Sequence, residues 1–271
     1  MATTPLRQQW MLRNGIAPSS LAGKIFTVAA YKGGVGKTFT AMELAYLLGA
    51  ILIDFEWDEG SASIALGYNP DDRQRSILID AINAERTPKP IWAGEHEQAG
   101  RPALIPGHAE FEDRQPSAGD MEKLIRAWAA DLGKQYGRPI VIDTHPGGSP
   151  STLGAIAAAN LNIVPTVFKE REMKALEGMF KEIGHFPFLM VPNMTTTSPP
   201  AKYLTWAIRL QDTYQVPISE EFIRDYRWLS TRSLRMVNCS VDHAPVKKAA
   251  ELVTSLNAIA KEVVVRCLAT Q

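Results

Sequence analysis

Tyr31-Lys32-Gly33-Gly34-Val35-Gly36-Lys37-Thr38 concentrates three glycines, two lysines and a hydroxyl within eight residues. Glycines at this density let successive backbone N–H groups turn inward around a phosphate, and a helix starting at the last of them adds its partial positive charge. Lys37 is placed to reach β- and γ-phosphates, and the Thr38 hydroxyl suits a magnesium ion. Two acids follow short apolar runs: Asp54 closes Ile51-Leu52-Ile53 and Asp143 closes Ile140-Val141-Ile142. A carboxylate at the C-terminal end of a buried strand stands where ligands of open α/β sheets bind. Glu56, Asp58 and Glu59 follow Asp54 closely, and His145 lies two residues beyond Asp143. A lone loop histidine is more often structural or solvated than a general base.

Positioning these groups requires strands that end level with one another. Ile25–Ala30, Ile51–Asp54, Ala103–Pro106, Pro139–Asp143, Asn162–Pro165 and Phe186–Val191 are short apolar runs suited to buried parallel strands. Helices are predicted over Thr38–Leu48, Arg75–Glu85, Ser117–Gln135, Ser151–Ala159, Glu172–Ile183, Ala201–Tyr214 and about Pro245–Leu268. In the third of these, Met121, Leu124, Ile125, Trp128 and Leu132 recur at helical spacing, with Ser117 and Asp120 as caps. Arg86–Gly100, rich in proline, glycine and charge, reads as a surface excursion. Strands alternating with helices predict an α/β fold, a mainly parallel sheet with helices on both faces, and the glycine-rich loop after the first strand makes it resemble a P-loop NTPase. The expected organisation is an N-terminal tail over 1–23 and a single domain over 24–271.

Composition narrows the function classes. The 271 residues carry 29 Lys+Arg against 29 Asp+Glu, and 45% are apolar. Such a balance argues against disorder and against a globally basic nucleic-acid coat, while leaving room for a local basic patch. Two cysteines, Cys239 and Cys267, make neither a disulfide framework nor a four-cysteine metal site, so a reducing compartment is expected. No run of apolar residues approaches the length of a membrane span. One local asymmetry stands out: Arg224, Arg227, Arg232 and Arg235 face a single Asp225, with Tyr226 and Trp228 interleaved and Lys247 and Lys248 following. Such clusters bind phosphates without sequence preference, or else form a solvated face paired to neighbouring acids.

The motifs resemble, in order and type, the ParA/MinD class of deviant Walker P-loop ATPases, over about Lys24 to Val265. The general loop pattern G-x-x-x-x-G-K-[ST] is broken because Tyr31 takes its first glycine position, and Lys32 gives K-G-G-x-G-K-T instead. In that class the early lysine crosses a nucleotide-sandwich dimer to the phosphates bound by the other subunit, and Lys32 matches it. The resemblance implies that Gly33, Gly34, Val35, Gly36, Lys37, Thr38 and Phe39 cradle ATP, with Thr38 and Asp143 holding Mg2+. Asp54 matches the first acid of the D-x-D-P-Q-G motif; Glu56 stands at the second, which positions the attacking water, with Asp58 the alternative. Lys32, Lys37, Asp54 and Glu56 thus form the implied catalytic set. Trp57 and Asp58 depart from the family's Pro-Gln region. Val191-Pro192-Asn193 resembles the motif whose asparagine contacts adenine, with Pro217 and Ile218 on the other side of the base.

What this implies is a short ParA-like partition ATPase, cytoplasmic and nucleoid-associated. ATP would stabilise a homodimer that binds DNA non-specifically through the arginine-rich region and Lys247 and Lys248. A ParB-like centromere-binding partner would stimulate a slow hydrolysis. The competing readings are a MinD-like membrane-associated ATPase and an ATP-locked DNA-binding scaffold with negligible hydrolysis. Against the first, Leu252, Leu256, Ile259, Val263 and Cys267 form a stripe that suits packing on a core.

Overall fold

Runs such as Ile25–Val28 (β1), Ile51–Asp54 (β2) and Ile140–Asp143 (β4) are buried at every position, which requires cover on both faces of the sheet. A computed structural model describes residues 11–13, 15–58, 61–68, 75–92, 100–196, 199–231, 235–240 and 247–269. Ala103–Ile105 (β3), Leu161–Thr166 (β5) and Phe188–Pro192 (β6) complete a six-stranded sheet in the order β3-β2-β4-β1-β5-β6, parallel throughout. The helices are Lys37–Leu47 (α1), Ala62–Ala65 (α2), Ile77–Asn83 (α3), Ala118–Tyr136 (α4), Pro150–Ala158 (α5), Glu170–Ile183 (α6), Ala201–Tyr214 (α7) and Lys247–Ala269 (α8). The predicted elements all recur, with ends displaced by no more than one or two residues. The sequence pattern missed α2, a single turn capped by Ser61, whose hydroxyl accepts from Ile64 N at 3.3 Å.

Alternation along the strands divides the core. Phe26, Val28, Leu52, Val141 and Ile163 face α1 and α8, where Leu44, Leu256, Ile259 and Val263 meet them. Ile51, Ile53, Ile140 and Ile142 face the other way, onto Leu78, Met121, Ile125 and Trp128 of α3 and α4. A third cluster joins Val164 and Met190 to Met173, Met179 and Phe180 of α6 and Leu210 of α7. Met11, Ile16 and Leu21, from the stretch expected to be a tail, are buried in the α1–α8 layer. Part of the expected surface excursion is also tied down: Ile91 exchanges two backbone hydrogen bonds with Leu104, at 2.7 and 3.0 Å. The opposite margin of the sheet is met by Ile218, which bridges Met190 of β6.

Strand register fixes where the chemistry sits. Val28 lies beside Asp143, and Asp143 beside Asp54, so β1, β4 and β2 end level. The chain leaves β1 towards β2 but leaves β4 towards β5, so the loops after these neighbouring strands diverge and open a crevice at their C-terminal ends.

Two glycines inside helices separate packing from propensity. A Cβ on Gly154 of α5 would stand 2.5 Å from Met121 Cβ and 2.8 Å from Ala118 O, whereas one on Gly178 of α6 meets nothing within 4 Å. Gly154→Ala should therefore destabilise by about 1–3 kcal/mol through overpacking. Gly178→Ala should stabilise by about 0.5–1 kcal/mol through helix propensity. Urea unfolding of the two variants measures both signs.

Candidate nucleotide site

The crevice is floored by the glycine-rich loop. Gly34 and Gly36 have φ of 76° and 92°, a left-handed backbone that side chains rarely adopt. Gly36 is also the N-cap of α1, and no side chain caps that helix. Its first amides are thus left to an external acceptor, the arrangement that binds phosphate. A Cβ at Gly36 would run into the Asn193 side-chain amide, which donates to Val35 O at 2.8 Å while its oxygen accepts from Met194 N at 2.9 Å. Asn193 is almost fully buried. Its amide, the group expected to contact the base, ties the end of β6 to the glycine-rich loop. Val35 is buried, and Phe39 packs half-buried against the core behind α1.

The two loop lysines differ sharply in surroundings. Lys37 is 5% exposed, and burial lowers its pKa against the opposing pull of Asp143 and Glu56. Lys32 is exposed at the mouth of the loop. Tyr31, in the place of the missing glycine, donates its hydroxyl to Glu182 of α6 at 3.0 Å; burial first, then this glutamate, pushes its pKa up to about 12.

Two carboxylates end the adjacent strands. Asp54 is fully buried, and its oxygens accept from Ser63 N at 2.7 Å, Ser63 Oγ at 2.5 Å and Glu56 N at 3.1 Å. These bonds fold the loop after β2 into α2, so Asp54 acts on the site by shaping that loop. Burial raises its pKa to about 6 in spite of them. Asp143 is equally buried, and among the described residues neither of its oxygens has a hydrogen-bond partner within normal geometry. Its pKa is raised well above the ordinary value by burial and then by Asp54, with the Thr38 hydroxyl and Lys37 opposing. A dry carboxylate without partners beside a threonine hydroxyl offers the hard oxygen donors that Mg2+ prefers, so Thr38 and Asp143 fit that ion.

Glu56 is the more enclosed of the two candidate acids. It is 7% exposed, and its Oε1 lies 2.6 Å from His145 Nδ1 and accepts from Asp58 N at 3.3 Å. Asp58, the alternative, has a side chain 70% exposed. His145, discounted as a lone loop histidine, is not alone: its ring also stacks on Trp57, with centroids 3.8 Å apart and planes 10° from parallel. Trp57 and His145 come from two separate motifs, 88 residues apart in the chain, so neither motif read singly announces the contact.

Beyond the loop, Pro217 O accepts from Met190 N at 2.9 Å, and Ile218 lines an apolar cavity of about 260 Å3 with Phe168, Pro192, Leu204, Ile208 and Phe222. Of the basic stretch, Arg224 is exposed and lies 3.4 Å from Glu251 of α8; Arg227 is exposed in a 3-10 turn over Arg227–Thr231. Arg235 is exposed, with its stem over Gly67. Arg232 lies outside the described residues, as do the side chains of Lys247 and Lys248, which begin α8. Arg101, which no sequence motif singles out, donates to Arg235 O at 3.0 Å and stacks on Trp92. The segment after Arg235 is fastened to α1: fully buried Glu43 accepts from Asn238 N and Nδ2 at 2.6 Å and from Cys239 N at 3.0 Å.

Comparison with known proteins agrees with this geometry. A family model described as an AAA domain (AAA_31) matches residues 23–193. The chain belongs to this family. It is 32% identical over 157 residues to the chromosome-partitioning ATPase Soj of Thermus thermophilus, covering 56% of this chain and 57% of Soj. It is 28% identical over 162 residues to the chromosome partitioning protein ParA of Myxococcus xanthus, covering 58% and 56%. The chain thus spans less than two thirds of the length of these curated relatives. Among solved structures, an ATP complex of Cyanothece McdA superposes with a TM-score of 0.67 at 16% identity, covering 89% of this chain and 96% of that one. The likeness extends the shared fold well past the matched residues. Among the described residues no helix is long and apolar enough to cross a membrane.

The raised pKa of Asp54 sets a pH dependence. Its value of about 6 in the folded chain exceeds the roughly 3.9 of an unfolded aspartate, so the folded state binds more protons in between. The stability this contributes is complete below about pH 4 and is lost as pH rises through 6, an effect of about 3 kcal/mol. Asp54→Asn, which keeps an acceptor for Ser63, should flatten that part of the profile. Urea midpoints of nucleotide-free protein at pH 4.5, 5.5 and 6.5 test it.

Proposed function

We propose that this protein is a ParA-like partition ATPase: ATP with Mg2+ joins two copies, the joined form binds DNA without sequence preference, and slow hydrolysis, stimulated by a ParB-like partner, releases it. The observation that carries this reading is the contrast between the two loop lysines. Lys37 is buried beside Asp143 and Glu56 and serves the phosphates of its own loop, whereas Lys32 stands exposed at the mouth, where it can reach a second copy. Bound Mg2+ would offset phosphate charge from its place on Thr38 and Asp143. Lys37 and the first amides of α1 orient the phosphates, Asp54 shapes the neighbouring loop, and Glu56 faces the attacking water. The base would lie towards Asn193, Pro217 and Ile218, where the apolar cavity offers room for a flat ring. The McdA neighbour solved with ATP supports the choice of nucleotide.

DNA is favoured over a membrane as the surface bound. The apolar stripe of α8 is spent on the core, with Leu252, Leu256, Ile259 and Val263 at 0% exposure, and so cannot also enter lipid. Arg224, Arg227 and Arg235 are meanwhile exposed, with Arg101 beside the last. Arg232, Lys247 and Lys248 are kept in the proposed set on their charge alone. The protein would accordingly be found with the nucleoid in the cytoplasm.

Lys37→Ala should weaken ATP binding by 10²-fold or more, while Lys32→Ala keeps monomer affinity within a few-fold and fails to form the ATP-dependent dimer. Light scattering with a slowly hydrolysed ATP analogue reads the second effect, and normal dimerisation of Lys32→Ala would sink the reading.

Replacing Arg224 and Arg235, or Arg235 and Arg101, should weaken binding to random duplex DNA and leave ATP binding intact. The slope of log affinity against log salt should become shallower by about 0.9 for each phosphate that is no longer neutralised. An unchanged slope in both pairs moves the DNA surface elsewhere.

A further inference from the structure

Glu56 has one more methylene than an aspartate and therefore one more torsion to fix before its carboxylate can hold a water in place. Its surroundings supply the restraint. Nδ1 of His145 lies 2.6 Å from Glu56 Oε1, a hydrogen-bond distance that ties the ring to one oxygen of the carboxylate. The ring is itself held flat against Trp57, at 3.8 Å between centroids. Trp57 meets Phe111 edge-on at 6.5 Å, and Phe111 stacks on buried Phe55 at 5.2 Å. The backbone of His145 is fixed from the other side, its carbonyl accepting from Thr152 Oγ1 of α5 at 3.1 Å. An unbroken path of contacts thus runs from the aromatic core under β2, through an indole and an imidazole, to one carboxylate oxygen.

We infer that His145 is a positioning residue for Glu56, and that Trp57 and His145 act together as a brace aiming that carboxylate at the attacking water. The inference rests on Glu56 as the water-facing acid and adds how a longer side chain is made to serve there. The brace also joins the loop after β2 to the loop after β4, so either loop displaced alone would separate the rings and release Glu56. A carboxylate misplaced by about 1 Å can cost around 10²-fold in rate.

The test uses the full chain with ATP, Mg2+ and saturating DNA. His145→Ala should lower kcat 10- to 100-fold with KM for ATP within twofold. His145→Asn, whose amide can donate from near the place of Nδ1, should recover at least a third of the lost rate in logarithmic terms. The double variant Glu56→Ala/His145→Ala should be no slower than Glu56→Ala. A second arm does not depend on turnover: the emission of Trp57, isolated among the six tryptophans by subtracting the spectrum of Trp57→Phe, should change in His145→Ala and also in Glu56→Ala. ATP binding by each variant reports that it has folded. Losses that multiply in the double variant, an unchanged kcat in His145→Ala, or Trp57 emission indifferent to both substitutions would overturn the brace. If the wild type itself does not hydrolyse ATP, the enzymatic reading fails and the emission arm alone decides whether the brace exists.

Discussion

Two aspartates side by side at the ends of β2 and β4, both sealed from water, are the constraint around which the site is organised. Strand register leaves them no choice: pairing Asp54 with Asp143 follows from aligning Ile51–Ile53 with Ile140–Ile142, which the core demands on both faces. Each carboxylate would relax by protonation, yet their partners divide them. Asp54 is given three donors and becomes part of the loop that follows it. Among the described residues Asp143 has no such donors within normal geometry, and it faces Lys37 and Thr38. Buried carboxylates crowded in this way are the kind of arrangement that a divalent cation with a polyphosphate relieves.

Much of this is legible in the sequence because it depends on local rules. Buried parallel strands read as short unbroken apolar runs, and the glycine-rich turn announces itself by composition alone. Helix α4 is marked by its period and by Ser117, whose hydroxyl caps it by accepting from Asp120 N at 3.2 Å. The site is less legible where roles depend on partners distant in the chain. Nothing local to Asn193 says that its amide bonds Val35 O, 158 residues away. His145 escapes a local reading because a histidine is judged by what it touches, and its ring contacts with Glu56 and Trp57 come from the other acidic loop. Arg101 and Glu43 escape for the same reason, since each matters through residues 235–239.

The helix that presents Lys37 and Thr38 is also the anchor of that distant segment. Glu43 lies six residues after Lys37 on α1, roughly 9 Å along the axis, and grips Asn238 and Cys239 just beyond Arg235. A buried carboxylate satisfied by three donors is costly to break. The glycine-rich loop and the end of the arginine-rich stretch therefore share one helix as their anchor.

The margins of the sheet have a different kind of consequence. β3 is met by Ile91 and β6 by Ile218, so both outer strands have part of their free hydrogen-bonding rows closed by the chain's own loops. Covered edges are how β-proteins resist adding strands from their neighbours, the route that leads to fibres and swapped pairs. On the proposed reading, in which copies of the chain join and part repeatedly, that protection would matter particularly. With the lateral route obstructed, such association would fall to the crevice end of the strands, where contacts made by loops can be undone without disturbing the sheet.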